Sequence, residues 1–323
     1  MACDGSNLTI APNLNDPETL WKSNQLGATG NHLHLNALYD VLNRTYIDAL
    51  VQTASTYQEH RACIQMIERV TLDKVILIAD RGYENYNIMS HAIEKGWKFL
   101  IRIKDVHSNG IASGLELPQT AVFDMDINPI LTRNQTKSKK QAGYKFMPTV
   151  QTFDYLPIGS KEDYPISFRI ARFKIADDSY ETVITNLDRF CFSAEKLKEL
   201  YHLRWGIETS FRELKYAIGL TSFHAKKVDY IKQEIFARLT LYNYCELITT
   251  YVVEHTENIS KKNQVNFTIA IYICREYLRR KRKLRPPDVV KLIEKHILPI
   301  RPGRRDPRKV KPQASVSFLY RVA

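Results

Sequence analysis

Four polar residues at fixed intervals, Tyr201, Arg204, Glu208 and Lys215, are the part of this sequence best suited to chemistry. They lie in residues 193–220, a stretch whose apolar periodicity and lack of proline predict one long helix. At about 100° per residue, their side chains fall within an arc of about 60° on one edge of that helix. A carboxylate flanked by an arginine, a lysine and a phenol suits a site that binds phosphate and metal. The alternative is a solvent-exposed row of ion pairs, and the helix alone leaves both interpretations open.

The apolar residues of the same stretch predict the face that packs against the rest of the protein. Ser193 is a good N-cap, and Gly219 stands where a glycine ends many helices. Six apolar side chains fall within an arc of about 80° beside the polar edge. They are Leu200, Leu203, Ile207, Phe211, Leu214 and Ile218. We therefore expect the polar edge to lie next to a buried face.

The spacing of the four polar residues resembles the Tyr-Arg-Glu-Lys motif of insertion-sequence DDE transposases. Two further segments resemble that family in the same order, CDGS at residues 3–6 and IADRGY at residues 78–83. The resemblance extends over about residues 2–245 and leaves the C-terminal region uncovered. It implies that Asp4, Asp80 and Glu208 are the catalytic carboxylates and the metal ligands.

The three carboxylates suggest a specific chemistry if the fold brings them together. Asp4, Asp80 and Glu208 offer the hard oxygen ligands that Mg²⁺ prefers, and they could hold two ions about 3.5–4 Å apart, with Mn²⁺ as a substitute. One ion would activate water or a DNA 3′-hydroxyl, and the other would stabilise the departing oxygen. Each acid also has a simpler explanation: Asp4 and Asp80 as turn residues, and Glu208 as an ion-pair partner of Arg204 or Arg212.

The basic and aromatic residues near these acids are candidates for DNA binding. Arg204 and Lys215 would contact phosphate near the cleaved bond, and Tyr201 would hydrogen-bond a phosphate or stack on the strand. In the family, these motif positions are associated with the transposon end. Arg81 follows Asp80 and is a further candidate for phosphate contact, with a surface ion pair as the alternative.

The segments before the polar helix indicate an α/β fold. Apolar and alternating runs predict a strand, a β-hairpin, a helix, a strand, a helix and a strand in that order. Their ranges are 1–10, 32–39 with 45–52, 57–70, 74–79, 85–95 and 97–103. This order is that of the RNase H-like fold, a mixed sheet with flanking helices. That fold places one carboxylate on its first strand and another at the end of its fourth strand. Asp4 and Asp80 fit these two places.

The same topology separates these acids from two others nearby. Asp40 falls in the predicted hairpin turn, and Asp48 falls in the second strand of the hairpin. We therefore interpret Asp40 as a turn residue and Asp48 as a surface or hairpin residue.

The chain divides into four predicted regions. The first part of the RNase H-like core, residues 1–105, is followed by a mostly β insertion over residues 106–179. The second part of the core, residues 180–255, contains the catalytic helix and a second long helix over residues 228–255. The last region, residues 256–323, is basic and includes a predicted helix at residues 269–282. In the second long helix, the apolar positions expected to pack against the sheet are Ile231, Ile235, Leu239, Leu241, Leu247 and Ile248.

Charge is concentrated near the C-terminus and points to a polyanionic partner. The net charge is +12, and residues 275–311 carry 15 Lys or Arg against four acids. Nucleic acid is the expected partner, and a solvated basic tail is the alternative. A second basic stretch, residues 133–145 within the insertion, is either a clamp on DNA phosphate or a plain exposed loop.

Cysteine use and hydropathy favour a protein that stays inside the cell. The five cysteines form no CxxC pair, so neither a zinc site nor a disulfide framework is indicated. No secretory leader or apolar run of 18 residues occurs. We expect a cytoplasmic, nucleoid-associated protein without a membrane partner.

The resemblance implies a transposase that cleaves and joins DNA at insertion-sequence ends, acting on double-stranded DNA as a homodimer. Family members usually carry a helical DNA-binding region before the first strand, and Asp4 lies almost at the terminus, so we expect this chain to lack it. One alternative is an RNase H-like nuclease or resolvase. Another is a catalytically inactive, transposase-derived DNA-binding protein, which would show salt-dependent binding without cleavage.

Overall fold

The computed structural model describes residues 1–22, 29–106, 108–255, 263–280 and 285–299. The strands within these residues are β1 (Ala2–Ile10), β2 (Leu20–Lys22), β3 (Thr29–Asp40), β4 (Thr45–Thr53), β5 (Ile76–Ala79), β6 (Lys98–Arg102), β7 (Phe123–Ile127), β8 (Ile130–Thr132), β9 (Lys145–Phe146), β10 (Asp163–Pro165), β11 (Phe168–Ala176), β12 (Ser179–Thr185), β13 (Asn263–Val265) and β14 (Ile297–Pro299). The helices are α1 (Glu59–Arg69), α2 (Tyr86–Glu94), α3 (Lys137–Gln141), α4 (Ala194–His202), α5 (Trp205–Tyr216), α6 (Val228–His255), α7 (Phe267–Arg279) and α8 (Val289–Glu294).

One mixed sheet organises the fold. Its nine strands run in the order β2-β3-β1-β5-β6-β12-β11-β7, with β4 also paired to β3. Strands β1, β5 and β6 are mutually parallel, and β3 is antiparallel to β1. Strand β5 has the sequence ILIA and is apolar throughout, as expected for a strand covered on both faces. Because β1 and β5 are parallel neighbours, side chains at their matching positions lie side by side.

Helices cover both faces of this sheet. Successive residues of a strand point to opposite faces, and β1 illustrates this: Cys3 packs in the cluster with α1 and α2, whereas Ala2 packs in the cluster with α5 and α6. Both side chains are fully buried. Asp4 has the same parity as Ala2 and therefore faces the α5 side of the sheet.

Most of the predicted elements are present, with ends that differ by a few residues. The first strand, the hairpin, the two helices and the two strands predicted before residue 105 correspond to β1, β3–β4, α1, β5, α2 and β6. Asp40 accepts hydrogen bonds from the backbone of Leu42 and Asn43 in the hairpin turn, and Asp48 pairs with Arg69 at 2.9 Å. These two acids therefore have the structural roles predicted for them.

The prediction of a single helix over residues 193–220 is wrong. The chain forms α4 and α5, and between them Leu203 and Arg204 donate their backbone N–H groups to carbonyls only three residues earlier. This tighter turn changes the phase of the helix. Leu203, which was expected in the core, is 40% exposed, whereas Arg204 is 7% exposed. The break therefore turns a guanidinium inward at the position where a leucine was expected.

The second long helix has the predicted bounds, but one of its expected core positions is wrong. Ile231, Ile235 and Leu239 are buried, as predicted. Leu247 is 62% exposed because it shares an outward face of α6 with Phe236 and Tyr251, which are also exposed.

Residues 106–179 contribute to two sheets. Strands β7 and β11 extend the main sheet beyond β12, and β8, β9 and β10 form a separate three-stranded sheet. The boundaries of an insertion stay a prediction. In the basic stretch, Arg133 donates to backbone carbonyls, and Lys139 pairs with Asp163. Two basic side chains of this stretch, Lys137 and Lys140, are exposed.

Several sequence-based expectations concern the C-terminal region and the cysteines. Part of the basic stretch over residues 275–311, namely residues 281–284 and 300–311, lies outside the described residues, as do residues 312–323. All five cysteines are free, as the absence of a disulfide pattern predicts. No helix in the described part of the chain has the length and apolar content needed to span a membrane.

A buried ion pair joins the hairpin to α6. Arg44, in the turn between β3 and β4, donates to Glu246 at 2.8 Å and lies 3.7 Å from Glu213 of α5. The Glu246 side chain is 2% exposed, and burial raises the pKa of its carboxyl, with Arg44 opposing that shift. Arg44 thus compensates charge at the point where the hairpin, α5 and α6 meet.

We predict that Arg44→Met destabilises the protein because it leaves the Glu246 carboxylate buried without a cation. The expected loss is about 3 kcal/mol, the lower end for breaking a buried pair, since the Arg44 side chain is half-exposed. Arg69→Met is the matched control, because Arg69 is as exposed as Arg44 but its partner Asp48 is 20% exposed, against 2% for Glu246, and solvent-accessible pairs contribute about 1 kcal/mol or less. Urea unfolding measures both, and equal losses in the two variants would contradict this prediction.

Candidate active site

Asp4 and Asp80 lie beside each other where two parallel strands meet the sheet edge. The register pairs Cys3 of β1 with Ala79 of β5, so the next residue on each strand is an aspartate. Asp4 Oδ1 accepts a hydrogen bond from the backbone N–H of Gly5 at 2.8 Å. Asp80 Oδ1 accepts one from Gly82 at 2.8 Å and caps a 3₁₀ turn over Arg81–Tyr83.

Arg204 links Asp4 to Glu208. Its Nη1 lies 3.7 Å from Asp4 Oδ2, and its Nη2 lies 2.6 Å from Glu208 Oε1. The Arg204 side chain is 8% exposed, so this guanidinium is held largely out of water. The inward turn between α4 and α5 therefore brings one cation between carboxylates from a strand and a helix.

The pKa of Asp4 is raised by its surroundings. Burial is the main cause that raises its pKa from 3.8 to about 6. The Gly5 backbone hydrogen bond and Arg204 lower this pKa, whereas the charges of Asp80 and Glu208 raise it. Asp80 and Glu208 thus act on Asp4 as like charges, which is the behaviour of acids that share one site.

The remaining residues of the Tyr-Arg-Glu-Lys spacing surround this centre. Tyr201 is 5% exposed, and its ring centroid lies 5.7 Å from the Arg204 guanidinium carbon. Lys215 Nζ donates to the backbone carbonyl of Asn7 on β1 at 3.0 Å, and burial lowers its pKa. Arg81 is exposed at the turn after Asp80. Tyr201 therefore lies against Arg204 and Lys215 contacts β1, whereas Arg81 is exposed beside Asp80.

Two polar atoms at this centre are buried without hydrogen bonds. They are the Tyr201 hydroxyl and Arg204 Nε, neither of which has a partner among the described residues. A buried polar group without a partner costs about 1–3 kcal/mol, so each such group calls for a ligand or another explanation. A cleft of about 740 Å³ adjoins them, and Arg102 and Trp205 contribute to its lining.

The donor set suits a hard divalent cation. Three carboxylates supply the oxygen ligands that Mg²⁺ prefers, and a bound cation would offset the burial and the acidic neighbours that together raise the pKa of Asp4. Within the described residues, however, no three His, Cys, Asp or Glu side chains are already arranged to hold a metal ion. Arg204 supplies positive charge to this group of acids.

Sequence reasoning missed contacts on the other face of β1. His34 of β3 is 5% exposed, with its Nδ1 2.7 Å from Asn7 Oδ1 and its Nε2 3.2 Å from Glu59 Oε1. The His34 imidazole and the Glu59 carboxylate both lie against Gly5, the residue after Asp4. The alternation of β3 could have indicated that His34 points inward, but no local pattern indicates its partner on α1.

Comparisons with known proteins give consistent results. A family model described as "Transposase DDE domain" matches residues 1–244. A probable transposase for insertion sequence element IS5377, from Geobacillus stearothermophilus, is 25% identical over 176 residues, which is 54% of this chain and 40% of that protein. A cryo-EM structure of a piggyBac transposase synaptic complex with hairpin DNA gives a TM-score of 0.50 at 9% identity, covering 88% of this chain and 54% of that chain. The structural likeness concerns the fold alone, and the chain spans about half or less of these relatives.

We predict that Gly5→Ala destabilises the protein by about 1–3 kcal/mol through overpacking. An added Cβ would overlap the His34 imidazole and lie 2.8 Å from Glu59 Oε1, and the buried His34 has little room to move. Gly30→Ala on β3 is the matched control, because the nearest atom to its added Cβ lies 3.7 Å away. Urea unfolding of both variants measures the difference, and a Gly5→Ala protein as stable as the control would contradict the close approach.

We predict a pH-dependent stability that depends on Asp4 in the metal-free protein. Because folding raises the pKa of this acid from 3.8 to about 6, its contribution is complete below about pH 4 and is lost as the pH rises through 6. The expected loss is about 3 kcal/mol, and Asp4→Asn should not show it. Urea unfolding between pH 4 and pH 7 tests this, and parallel profiles for the two proteins would contradict it.

Proposed function

Because the chain belongs to the transposase DDE domain family, we propose that it is a transposase, which cleaves DNA and joins strands at insertion-sequence ends in a metal-dependent reaction. The observation that carries this proposal is geometric: the strand register places Asp4 next to the end of β5, where Asp80 follows, and Arg204 contacts both Asp4 and Glu208. Acids on neighbouring parallel strands with a third on a packed helix suit phosphoryl transfer, which depends on positioning and on charge stabilisation.

We propose an RNase H-like topology for the core. The strand order supports it: β1 lies between an antiparallel hairpin and the parallel strands β5 and β6, with helices on both faces. The sheet then continues through β12, β11 and β7, so after β6 the chain first adds β7, then forms the separate three-stranded sheet, and returns to the main sheet at β11 and β12.

Asp4, Asp80 and Glu208 are the proposed catalytic and metal-binding residues. Two Mg²⁺ ions, with Mn²⁺ as a substitute, would activate the attacking oxygen and stabilise the departing one. Asp80 contributes its Oδ2, which accepts no hydrogen bond within the described residues, while Gly82 orients its Oδ1. Asp4 must lose its proton to bind a metal ion, and because burial raises the pKa of this acid in the metal-free protein, metal binding is expected to weaken at low pH.

Arg204 and Tyr201 are proposed to bind a DNA phosphate next to the reacting bond. Arg204 Nε and the Tyr201 hydroxyl are buried and unpartnered among the described residues, which supports a ligand oxygen as their partner. A guanidinium donates through five N–H groups, so Arg204 can bind phosphate while it still contacts a carboxylate. Lys215 and Arg81 are proposed as further phosphate contacts on either side of the centre.

The proposed partner is double-stranded DNA, including the transposon ends and a target. Joining needs two DNA ends at one time, and for this reason we propose a homodimer on DNA that associates with the nucleoid.

We predict that Asp80→Asn and Glu208→Gln abolish metal-dependent DNA cleavage without unfolding the protein. Loss should exceed about 100-fold, since even outer-shell partners of a metal site contribute 10–100-fold. Asp48→Asn is the matched control, because this acid pairs with Arg69 on the surface and lies outside the site.

The test uses a labelled duplex containing the insertion-sequence end, incubated with Mg²⁺ or Mn²⁺. The wild-type chain and Asp48→Asn should nick the duplex and join its 3′ end to a second duplex. Cleavage without joining would favour an RNase H-like nuclease, and salt-sensitive binding without cleavage would favour a DNA-binding protein. Full metal-dependent activity in either active-site variant would contradict the assigned carboxylates.

A further inference from the structure

The first turn of α1 contacts the turn that holds Asp80. His60, the second residue of α1, approaches the backbone carbonyl of Gly82 with its Nε2 at 2.6 Å. On the other side of the ring, Nδ1 lies 3.2 Å from Nδ2 of Asn85. His60 is therefore joined both to the turn after β5 and to the residue that begins α2.

The neighbouring groups determine which ring nitrogen of His60 carries the proton. A carbonyl oxygen only accepts hydrogen bonds, so Nε2 must donate to Gly82. Asn85 Oδ1 is already occupied, because it caps α2 by accepting from the N–H of Asn87 at 2.7 Å. The Asn85 atom that faces His60 is therefore its Nδ2, a donor, and Nδ1 of His60 must accept from it. Both contacts are therefore made by the His60 tautomer that carries its proton on Nε2.

This contact continues to the carboxylate of Asp80 through a single residue. Gly82 accepts from His60 through its carbonyl and donates its N–H to Asp80 Oδ1 at 2.8 Å. The following N–H, of Tyr83, donates to the Asp80 carbonyl at 3.1 Å and closes the 3₁₀ turn. His60 therefore ties the exposed Arg81–Gly82 segment to α1 through a hydrogen bond.

We propose that His60 is a positioning residue for Asp80. By holding the Gly82 carbonyl, it restrains the residue whose N–H group orients one oxygen of Asp80. The other oxygen accepts no hydrogen bond within the described residues and stays available to a metal ion. This inference rests on the proposed function for its effect on cleavage, whereas its effect on the turn does not depend on that function. His60 itself touches neither substrate nor metal.

Two substitutions at one position separate hydrogen bonding from packing. His60→Gln supplies an amide N–H for the Gly82 carbonyl and an oxygen for Asn85 Nδ2, so it can keep both contacts. His60→Leu fills similar space and keeps neither contact. His91→Leu is the matched control, because His91 lies on α2 and bonds Glu68 at 2.7 Å and Asp154 at 2.9 Å, away from the Asp80 turn.

Hydrogen–deuterium exchange of peptides covering residues 80–86 measures the turn directly. We expect several-fold faster exchange in His60→Leu, because the Gly82 and Tyr83 amides lose their fixed arrangement. Exchange in His60→Gln and His91→Leu should match the wild type in this segment. Cleavage assays should show a 10- to 100-fold loss for His60→Leu, with a higher Mn²⁺ concentration at half-maximal rate and near-normal rates for His60→Gln.

Three results would overturn the proposal. The first is unchanged exchange at residues 80–86 in His60→Leu. The second is faster exchange in that variant with unchanged cleavage and metal dependence, and the third is an equal loss of cleavage in His60→Gln and His60→Leu. A wild-type chain that cleaves no DNA would contradict the proposed function instead, and exchange would then decide alone whether His60 holds the turn.

Discussion

The site depends on the placement of one cation, the Arg204 guanidinium, between Asp4 of β1 and Glu208 of α5. Acids gathered at the edge of a buried sheet repel one another, and burial adds to the cost of their charge, as the raised pKa of Asp4 indicates. Arg204 offsets part of that cost from within the same helical segment as Glu208. The break between α4 and α5 is what turns this guanidinium inward, so the break is part of the site.

An arginine that compensates acids is also a group that can change partners. Its Nε has no partner in the described residues, and the neighbouring Tyr201 hydroxyl is likewise unpartnered and buried. A phosphate oxygen could satisfy both groups, and divalent cations could take over the neutralisation of the carboxylates. Without metal and DNA, Arg204 thus offsets the negative charge of Asp4 and Glu208. In the proposed complex, metal ions would offset that charge and Arg204 would bind a DNA phosphate.

The sequence predicted the elements that carry the acids because each has a strong local signal. The run ILIA before Asp80 marks β5, and the order of elements brings β1 beside it, so the Asp4–Asp80 pairing followed from topology. The helix break did not follow, because Leu203 continues the apolar period across it and only tertiary packing prefers Arg204 inside. His60 and Lys215 donate to the backbone carbonyls of Gly82 and Asn7. Because every residue has a backbone carbonyl, the residue types do not indicate which carbonyl is the partner. For the same reason, the addition of β7 and β11 to the main sheet could not be predicted from short β-prone runs.

Anomalous diffraction from crystals of the chain grown with Mn²⁺ and an insertion-sequence end duplex tests the central claim most directly. We predict Mn²⁺ peaks coordinated by carboxylate oxygens of Asp4, Asp80 and Glu208, with Arg204 bound to a DNA phosphate. Mn²⁺ peaks at other side chains, or none near these acids while Arg204 still bridges Asp4 and Glu208, would contradict it.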